Sequence, residues 1–538
     1  MSLSDLFPQE DKIPAEYTPN ETSIDEYLIN GQLVPWKGKT EEVFSPILHY
    51  HTHKISGLNH KLLGSYPLME ESHAMEALQA AKKSYNNGKG EWPQMTVAQR
   101  IVCVQHFVTL MKTTRTEIID LLMWEICKSY PDSCKEFDRT IEYIEDTIKA
   151  LKDLDHQSSR FVEEQGILAQ IRRAPLGVTL VMGPFNYPLN ETFTTLIPAL
   201  IMGNTVVFKT PKIGVLLFKP LLKAFKEAFP AGVINTIFGD GRVIINPIMK
   251  SGDVDVLAFI GTSKVAHLLK SQHPHLNRLR CVLGLDAKNP AIITPYVADL
   301  DQTIKECVTG ALTFNGQRCT ALKLLFVHNT ILQTFLDKMS ARLDTLKIGM
   351  PWEDDVQITP LAEPNKTEFL DELIKDAVSK GAKLIRGGDC CGTLYNPALI
   401  SGINSTMRLY HEEQFGPIVA VVPYESIEEP LEYVNQSMYG QQASVFSHNS
   451  EELGMILDSL INQTCRININ SQCQRSPDSF PFTGRKNSAE GTLSITDALK
   501  IFSIRSVISF KTTKDNITLV QNVLKGQTSK SLSTNFIM

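Results

Sequence analysis

The chain has 538 residues, 43% of them hydrophobic and 21% charged, which is typical of a globular protein whose core is large enough to be stable without disulfides. Its formal net charge of -6 argues against a strongly nucleic-acid-binding surface. No apolar run has the length that spans a bilayer, and the N-terminus lacks the basic and apolar regions of a signal peptide, so we expect a cytoplasmic protein without a membrane partner.

The first 160 residues are predicted to be mainly helical. Residues 1–25 are polar and contain prolines, which indicates an extended arm. A helix is expected after Ser72, where apolar side chains recur at helical spacing. Another helical region runs from about Ala98 to Leu154 and is broken near Pro131.

From Val178 onward, short apolar strands alternate with helices. The pattern predicts strands at Val178–Met182, Thr205–Lys209, Val233–Phe238 and Leu257–Gly261, and a second series at Ala291–Thr294, Leu324–Val327, Ile418–Val422 and Arg466–Ile469. Such alternation favours parallel sheets covered by helices, so two α/β lobes are the simplest account. The residues from about Lys514 are polar with little periodicity, which predicts a loose tail.

Ten cysteines show neither a CxxC pair nor paired metal-ligand spacing, so we expect free thiols and no metal site. Cys319 differs from the others in following Asn315-Gly-Gln-Arg318, because a neighbouring guanidinium favours the reactive thiolate. Taken alone, a cysteine beside an arginine is more often an inert thiol.

Three further segments follow predicted strands, where α/β folds bind ligands. Asn186, in Gly183-Pro-Phe-Asn-Tyr-Pro, can donate to a developing oxyanion, although asparagine beside prolines is also a common turn residue. Lys209 and Lys212 suit ribose or phosphate oxygens, although lysines at strand ends are usually just solvated. Gly239 and Gly241 form a short glycine pair that is only a weak dinucleotide signal.

In this order, the motifs around Asn186, Lys209, Gly261, Cys319 and Glu413 resemble the aldehyde dehydrogenase superfamily over roughly residues 30–510. The resemblance implies a Rossmann-like cofactor domain, a catalytic domain and a small β oligomerisation flap. It also implies cofactor contacts from the following residues: Gly183, Pro184, Phe185, Lys209, Lys212, Gly239, Gly241, Gly261, Thr262, Glu413 and Phe415. Among them, Glu413 is implied to hold the nicotinamide ribose.

Within the superfamily, the NADP-dependent non-phosphorylating glyceraldehyde-3-phosphate dehydrogenases are the most similar group. The segments that carry this resemblance are Phe185–Pro188, Gly316–Ala321, Glu353–Pro360 and Phe480–Phe482. That group binds the substrate phosphate with arginines, whose positions fall here on Arg139, Arg318 and Arg475. Guanidinium groups suit phosphate, and Tyr187 and Thr320 complete the implied substrate site.

The resemblance implies the following organisation: an arm at 1–25, an NADP-binding domain at 26–162 and 178–292, oligomerisation strands at 163–177 and 497–512, a catalytic domain at 293–496 and a tail at 513–538. It also implies a homodimer or homotetramer.

Two departures from the family pattern concern chemistry. The superfamily has a glutamate for activating water in the segment Leu283–Lys288, but this chain has Gly284 at that position. Asp286 lies two residues on, and in an extended segment it would face the same side, so we expect it to act as the base. Lys212 stands where NAD-preferring members often have glutamate, and a lysine attracts the 2′-phosphate of NADP, with NAD as a possible second cofactor.

The family mechanism then implies that Cys319 attacks the aldehyde, that Asn186 and the Cys319 backbone N–H hold the oxyanion, and that water hydrolyses the thioester to 3-phosphoglycerate. Three alternatives stay open. One is a dehydrogenase of another aldehyde or semialdehyde. The second is a CoA-acylating enzyme, and the third is a catalytically silent structural homologue.

Overall fold

The computed structural model describes residues 2–50 and 57–534. Residue 1 of the predicted arm, residues 51–56 of the predicted cofactor domain and residues 535–538 of the predicted tail lie outside the described residues. Among the described helices, none is both long enough and apolar enough to cross a membrane.

A six-stranded sheet forms the first lobe. Its strands lie in the order Ala489–Glu490, Arg280–Gly284, Val256–Ile260, Val178–Met182, Thr205–Lys209 and Ile234–Ile237. The last five are parallel, and the first is a short antiparallel edge. The chain runs outward from Val178–Met182 on one side and then returns to the other side. The carboxyl ends of Val178–Met182 and Val256–Ile260 therefore border a topological switch point, where such sheets bind ligands.

Helices cover both faces of this sheet. Before its first strand they are Glu71–Tyr85, Glu91–Gln94, Val97–Lys112, Arg115–Glu125 and Tyr130–Ser158; between its strands they are Asn190–Ile201, Lys219–Ala228, Gly241–Lys250 and Ser263–Gln272. The helix Tyr130–Ser158 begins at the predicted break, because Ser129 caps it and Pro131 lies in its first turn.

A seven-stranded sheet forms the second lobe. Its strands lie in the order Lys383–Arg386, Ala398–Ser401, Ile418–Tyr424, Leu322–His328, Asn289–Ile293, Gln442–Phe446 and Arg466–Ile469. Only the first edge strand is antiparallel to its neighbour. The helices of this lobe are Leu300–Leu312, Leu332–Asp344, Lys366–Ser379, Arg408–His411, Glu428–Gln436 and Ser450–Leu460. The predicted boundary at 292 cuts through Asn289–Ile293, which belongs wholly to this sheet.

A separate antiparallel sheet consists of Phe161–Glu164, Ile167–Pro175 and Ser503–Lys511. It occupies most of the two ranges predicted as oligomerisation strands. The second range, 497–512, starts too early, because residues Ile495–Ile501 form a helix that is capped by Ser494.

The arm, the tail and several short strand pairs differ from the expectation. The arm contains short 3-10 turns at Leu3–Leu6, Glu10–Lys12 and Ala15–Tyr17. Unpredicted antiparallel pairs follow at Glu26–Ile29 with Gln32–Pro35, Thr40–Tyr50 with Leu58–Pro67, Cys390–Cys391 with Leu394–Tyr395, and Tyr439–Gly440 with Arg485–Lys486. The prediction of a loose tail is wrong for Lys514–Gly526, a helix capped by Thr513 with half-buried Ile517, Val520 and Leu524 on one face.

Candidate active site

One cavity of about 1010 Å³ opens between the two lobes. Its walls include the residues that follow Val178–Met182 and Val256–Ile260 in the first lobe, and the segment before Leu322–His328 in the second. Every site residue predicted from the sequence lines this cavity except Gly239. A Cβ at Gly239 would lie 3.1 Å from the Met69 backbone nitrogen, so a side chain at this position would crowd the chain at Met69.

Cys319 follows a turn that few residue types can form. Phe314, Asn315 and Gly316 all have positive φ, at 49°, 56° and 71°. A side chain at Gly316 would meet the carbonyl oxygens of Ala311 at 2.7 Å and Gly416 at 2.8 Å. The Asn315 side chain fixes the turn by donating to the Thr359 backbone carbonyl at 3.0 Å and accepting from the Thr359 N–H at 3.0 Å. The left-handed backbone therefore places the thiol at the cavity wall.

Asn186 is tied directly to the nucleophile segment. Its Nδ2 donates to the Gln317 carbonyl at 2.8 Å, and its side chain is buried. An amide nitrogen carries two N–H groups, so the second can donate to an oxygen on a carbon bonded to Cys319.

The loop that carries Asn186 rests on a buried ion pair. Lys128 and Glu136 are fully buried and paired with each other. Lys128 Nζ donates to the Asn186 carbonyl at 2.9 Å and lies 3.5 Å from the centre of the Tyr187 ring. Glu136 Oε1 accepts from the Leu189 and Asn190 N–H groups, at 3.1 Å each. This pair therefore holds both ends of the segment 186–190.

Burial raises the pKa of the Cys319 thiol to about 11, with the Glu191 and Glu413 carboxylates adding to the rise. Lys323 and Arg475 act in the opposite direction. Arg318 Nη2 donates to the carbonyls of Thr309 at 3.1 Å and Gly310 at 2.9 Å, and its charge is not among the main influences on the pKa of this thiol. Arg318 stays at the cavity wall beside the buried Thr320.

Asp286 lies beyond the end of the strand Arg280–Gly284, so the alternation of side chains along a strand does not set its direction. Its Oδ2 accepts from both the backbone N–H of Ser263, at 2.7 Å, and the Ser263 hydroxyl, at 2.6 Å. Neither bond uses Oδ1. The carboxylate thus lines the cavity while it also binds the first residue of the helix Ser263–Gln272.

Glu413, expected at the nicotinamide ribose, is paired with Lys323 at 2.6 Å. Burial raises the pKa of the Glu413 carboxyl, and Lys323 opposes the rise. Lys323 also donates to the backbone carbonyls of Arg318 at 2.9 Å and Cys319 at 3.3 Å. The predicted ribose residue and the nucleophile segment therefore share one cation.

Two arginines and two carboxylates cluster in another part of the cavity. Arg139 forms a two-pronged pair with Asp478, at 2.9 and 2.7 Å. Arg475 pairs with Glu191 through Nη1 and lies 3.4 Å from Asp478 through Nε. The Arg475 side chain is 6% exposed, and its Nη2 has no hydrogen-bond partner among the described residues. The buried guanidinium thus keeps hydrogen-bond donors that the described residues do not use.

The part of the cavity at the carboxyl ends of the first-lobe strands suits a dinucleotide. Burial lowers the pKa of Lys209 to about 8. Lys212 is exposed and paired with Glu41 at 2.9 Å. Gly241 and Thr262, at the N-terminal ends of two helices, line the same region, and such helix ends attract phosphate. Two amines and two helix ends suit the phosphates of NADP. A phosphate that binds Lys212 would compete with the Glu41 carboxylate for this amine.

Glu191, Asp478 and Lys323 were missed by the sequence reasoning. Glu191 falls in the first turn of a helix, where acidic residues are common for electrostatic reasons unrelated to a site. Asp478 and Lys323 lie close in sequence to Arg475 and Cys319, but no spacing signals their contacts.

The chain matches the model of the aldehyde dehydrogenase family over residues 49–508. It is 34% identical over 457 residues to the NADP-dependent glyceraldehyde-3-phosphate dehydrogenase of Streptococcus equinus, covering 84% of this chain and 92% of that protein. It is 29% identical to the enzyme of the same name from Triticum aestivum, covering 87% of this chain and 91% of the relative.

Among solved structures, the fold is similar to the crystal structure of NADP-dependent glyceraldehyde-3-phosphate dehydrogenase from Bacillus halodurans C-125 complexed with NADP. The TM-score is 0.81 at 29% identity, covering 91% of this chain and 99% of that one.

Proposed function

Because the chain belongs to the aldehyde dehydrogenase family, we propose that it oxidises glyceraldehyde 3-phosphate to 3-phosphoglycerate with NADP, through a thioester on Cys319. The observation that carries the substrate assignment is the buried Arg475 guanidinium, which lines the same cavity as the thiol and whose Nη2 has no hydrogen-bond partner among the described residues. A guanidinium edge binds phosphate oxygens well, and Arg139 stands beside it through their common partner Asp478.

The first step is the loss of the Cys319 proton and attack of the thiolate on the aldehyde carbon. The carbonyl oxygen becomes an oxyanion, which accepts hydrogen bonds from Asn186 Nδ2 and from the Cys319 backbone N–H. The nicotinamide cofactor, when bound, supplies the acceptor for the hydride that leaves this carbon. Lys209, Lys212 and the helix ends near Gly241 and Thr262 are the groups we propose to hold its ribose and phosphates.

The second step is hydrolysis of the thioester. Water adds to the acyl carbon, and the Cys319 sulfur leaves with the electron pair of the C–S bond. Gly284 supplies no carboxylate, so we propose that Asp286 takes the proton from this water, through the Oδ1 that Ser263 does not engage.

The absence of a side chain at Gly284 also gives some support to a second candidate, transfer of the acyl group to a thiol such as CoA. The two reactions separate in one assay. Turnover without CoA and without inorganic phosphate supports hydrolysis, whereas turnover that requires CoA supports acyl transfer.

The test is NADP reduction by glyceraldehyde 3-phosphate in phosphate-free buffer, with identification of the acid formed. We expect 3-phosphoglycerate in amounts equal to NADPH, no activity for Cys319→Ser, and an increase in KM for Arg475→Ala that is much larger with glyceraldehyde 3-phosphate than with glyceraldehyde. Equal effects of Arg475→Ala on both aldehydes would remove the argument for a phosphorylated substrate.

Assembly is a further part of the proposal. We propose a homodimer or homotetramer joined through the three-stranded sheet, which carries several exposed apolar side chains: Val162, Ile167, Ile504 and Val507.

A further inference from the structure

Glu191 pairs with the proposed phosphate arginine, Arg475, and lines the same cavity as the nucleophile. It is the second residue of the helix Asn190–Ile201, which begins directly after the segment that carries Asn186. Its side chain is 13% exposed and lines the cavity together with Cys319 and Arg475. It contributes to the raised pKa of the Cys319 thiol, as expected of a carboxylate in the same low-dielectric space.

The two edges of the Arg475 guanidinium differ. One edge donates to Glu191 through Nη1, and Nε lies 3.4 Å from Asp478. The flat face of the group lies 4.6 Å from the centre of the Phe482 ring. Two of its nitrogens, Nε and Nη2, have no hydrogen-bond partner among the described residues. A ligand oxygen that reaches Nη2 therefore meets a guanidinium whose other terminal nitrogen, Nη1, is already paired with the Glu191 carboxylate.

The charges of the cluster also balance. Arg139 and Arg475 bring two positive charges, and Glu191 and Asp478 bring two negative charges within ion-pair distance. A phosphate dianion would meet a neutral cluster rather than a cationic one. Asp478 pairs with both arginines, whereas among the described residues Glu191 pairs only with Arg475. Removing the Glu191 charge therefore changes the net charge of the cluster by one and breaks no contact of Arg139.

We propose that Glu191 is a specificity-determining residue whose negative charge weakens the binding of anionic tails at Arg475. This inference rests on the proposed function in taking the phosphate of the substrate as the anion. The charge lowers the affinity of the subsite for a phosphorylated substrate or product. It therefore also reduces the difference in affinity between phosphorylated and unphosphorylated aldehydes. Substrate preference in this pocket is therefore set by a carboxylate as well as by arginines.

A purely structural role for Glu191 predicts the opposite result. If the carboxylate only orients Arg475, then any change of Glu191 weakens anion binding. Glu191→Gln separates the two, because the amide keeps the size of the side chain and one acceptor oxygen while it removes the charge.

The experiment measures binding of inorganic phosphate by calorimetry to Cys319→Ser protein that is saturated with NADP, so that the cofactor region does not contribute. We expect Glu191→Gln in this background to tighten phosphate binding roughly 10-fold, since a repelling charge next to the anion is removed in a partly desolvated site. In an Arg475→Ala background, Glu191→Gln should change phosphate binding less than about 2-fold, because the two residues act through the same contact.

Asp138→Asn is the matched control. Asp138 is adjacent to Arg139 in sequence, but it pairs with Arg115 at 2.8 Å and its side chain is 53% exposed. Removing this equal charge should leave phosphate binding unchanged. Unchanged or weaker phosphate binding by Glu191→Gln, or an equal gain from Asp138→Asn, overturns the proposal.

A steady-state comparison keeps this inference separate from the proposed function. With active Cys319, Glu191→Gln should lower KM for glyceraldehyde 3-phosphate several-fold and leave KM for glyceraldehyde within about 2-fold. If glyceraldehyde 3-phosphate is not oxidised by the unmodified protein, the proposed function fails, whereas the phosphate-binding result still decides the role of Glu191.

Discussion

The proton on the Cys319 sulfur is retained by burial and by two carboxylates, Glu191 and Glu413. Attack on an aldehyde needs the thiolate, so this environment keeps the free protein weakly reactive near neutral pH. Changes that remove negative charge near the sulfur lower the pKa of the thiol, and loss of a nearby cation raises it.

We therefore expect Glu413→Gln, without cofactor, to be alkylated by iodoacetamide roughly 2- to 5-fold faster than the unmodified protein at pH 8, because a larger fraction of Cys319 is thiolate. For the unmodified protein, the alkylation rate should keep rising with pH toward the thiol pKa of about 11. Lys323→Met should have the opposite effect at pH 8. Equal rates for all three proteins would show that Lys323 and Glu413 do not set the pKa of Cys319.

Asp286 is the residue that we propose to activate water for hydrolysis of the thioester. If Asp286 is the base, Asp286→Asn should keep a rapid first burst of NADPH, since acylation does not use Asp286, and should lose at least about 100-fold in steady turnover. Stopped-flow absorbance followed by steady-state rates measures both. The Ser263 N–H and hydroxyl can donate to an amide oxygen as well as to a carboxylate, so the variant should fold normally. A variant with unchanged steady turnover would remove Asp286 from the reaction.

The residues of the site were more predictable than their partners. Cys319, Asn186 and Arg475 lie in short segments whose order along the chain identifies the family, so sequence alone brings them to one place. Glu191 and Lys323 have no such signal, because their roles come from contacts across 284 positions to Arg475 and 90 positions to Glu413. The direction predicted for Asp286 used strand alternation, and the strand ends two residues before it.

The helix Tyr130–Ser158 helps to position the segment 186–190, which carries Asn186. Its buried Glu136 accepts from the first turn of the helix Asn190–Ile201, and the pair it forms with Lys128 holds the Asn186 carbonyl. A buried ion pair is costly to break, because the remaining charge is left without a partner in a low dielectric.

Lys128→Met should therefore lower the free energy of unfolding by about 3–5 kcal/mol, since it strands the Glu136 carboxylate. It should also reduce kcat, because the Asn186 segment loses the amine that holds its carbonyl. Urea unfolding and steady-state rates measure the two effects. The double variant Lys128→Met/Glu136→Gln should regain most of the stability but not the rate. Recovery of both would mean that the pair stabilises the fold without positioning Asn186.

The central strands and helices were predicted well and the chain ends poorly, because the strength of the local sequence pattern differs between them. Buried parallel strands such as Val178–Met182 are continuous apolar runs between helical segments, which is a strong local pattern. The hairpin Thr40–Tyr50 with Leu58–Pro67 has irregular register, so its alternation of polar and apolar residues is broken. The helix Lys514–Gly526 does carry apolar residues at helical spacing, at Ile517, Val520 and Leu524, but they are only half-buried and polar residues surround them, which favoured the wrong prediction of a loose tail.

The three-stranded sheet exposes apolar side chains on a strand that has no neighbour on one side. Val507 is 60% exposed and Ile504 is 47% exposed on Ser503–Lys511, which is an edge strand of that sheet. Both unpaired strand edges and exposed apolar clusters favour association with another chain.

We expect the protein to be a dimer or tetramer at micromolar concentration, and Val507→Asp to shift it toward monomers, because the substitution places a charge on the apolar surface of the sheet. Size-exclusion chromatography with light scattering measures the mass directly. Val102→Asp is the control, since Val102 is 63% exposed on the helix Val97–Lys112, well away in sequence from the sheet. The groups proposed to hold NADP, Lys209, Lys212, Gly241 and Thr262, lie in the first lobe and not on the three-stranded sheet, so a Val507→Asp monomer should still bind NADP. A monomeric unmodified protein, or equal dissociation by both variants, would show that this sheet does not join the subunits.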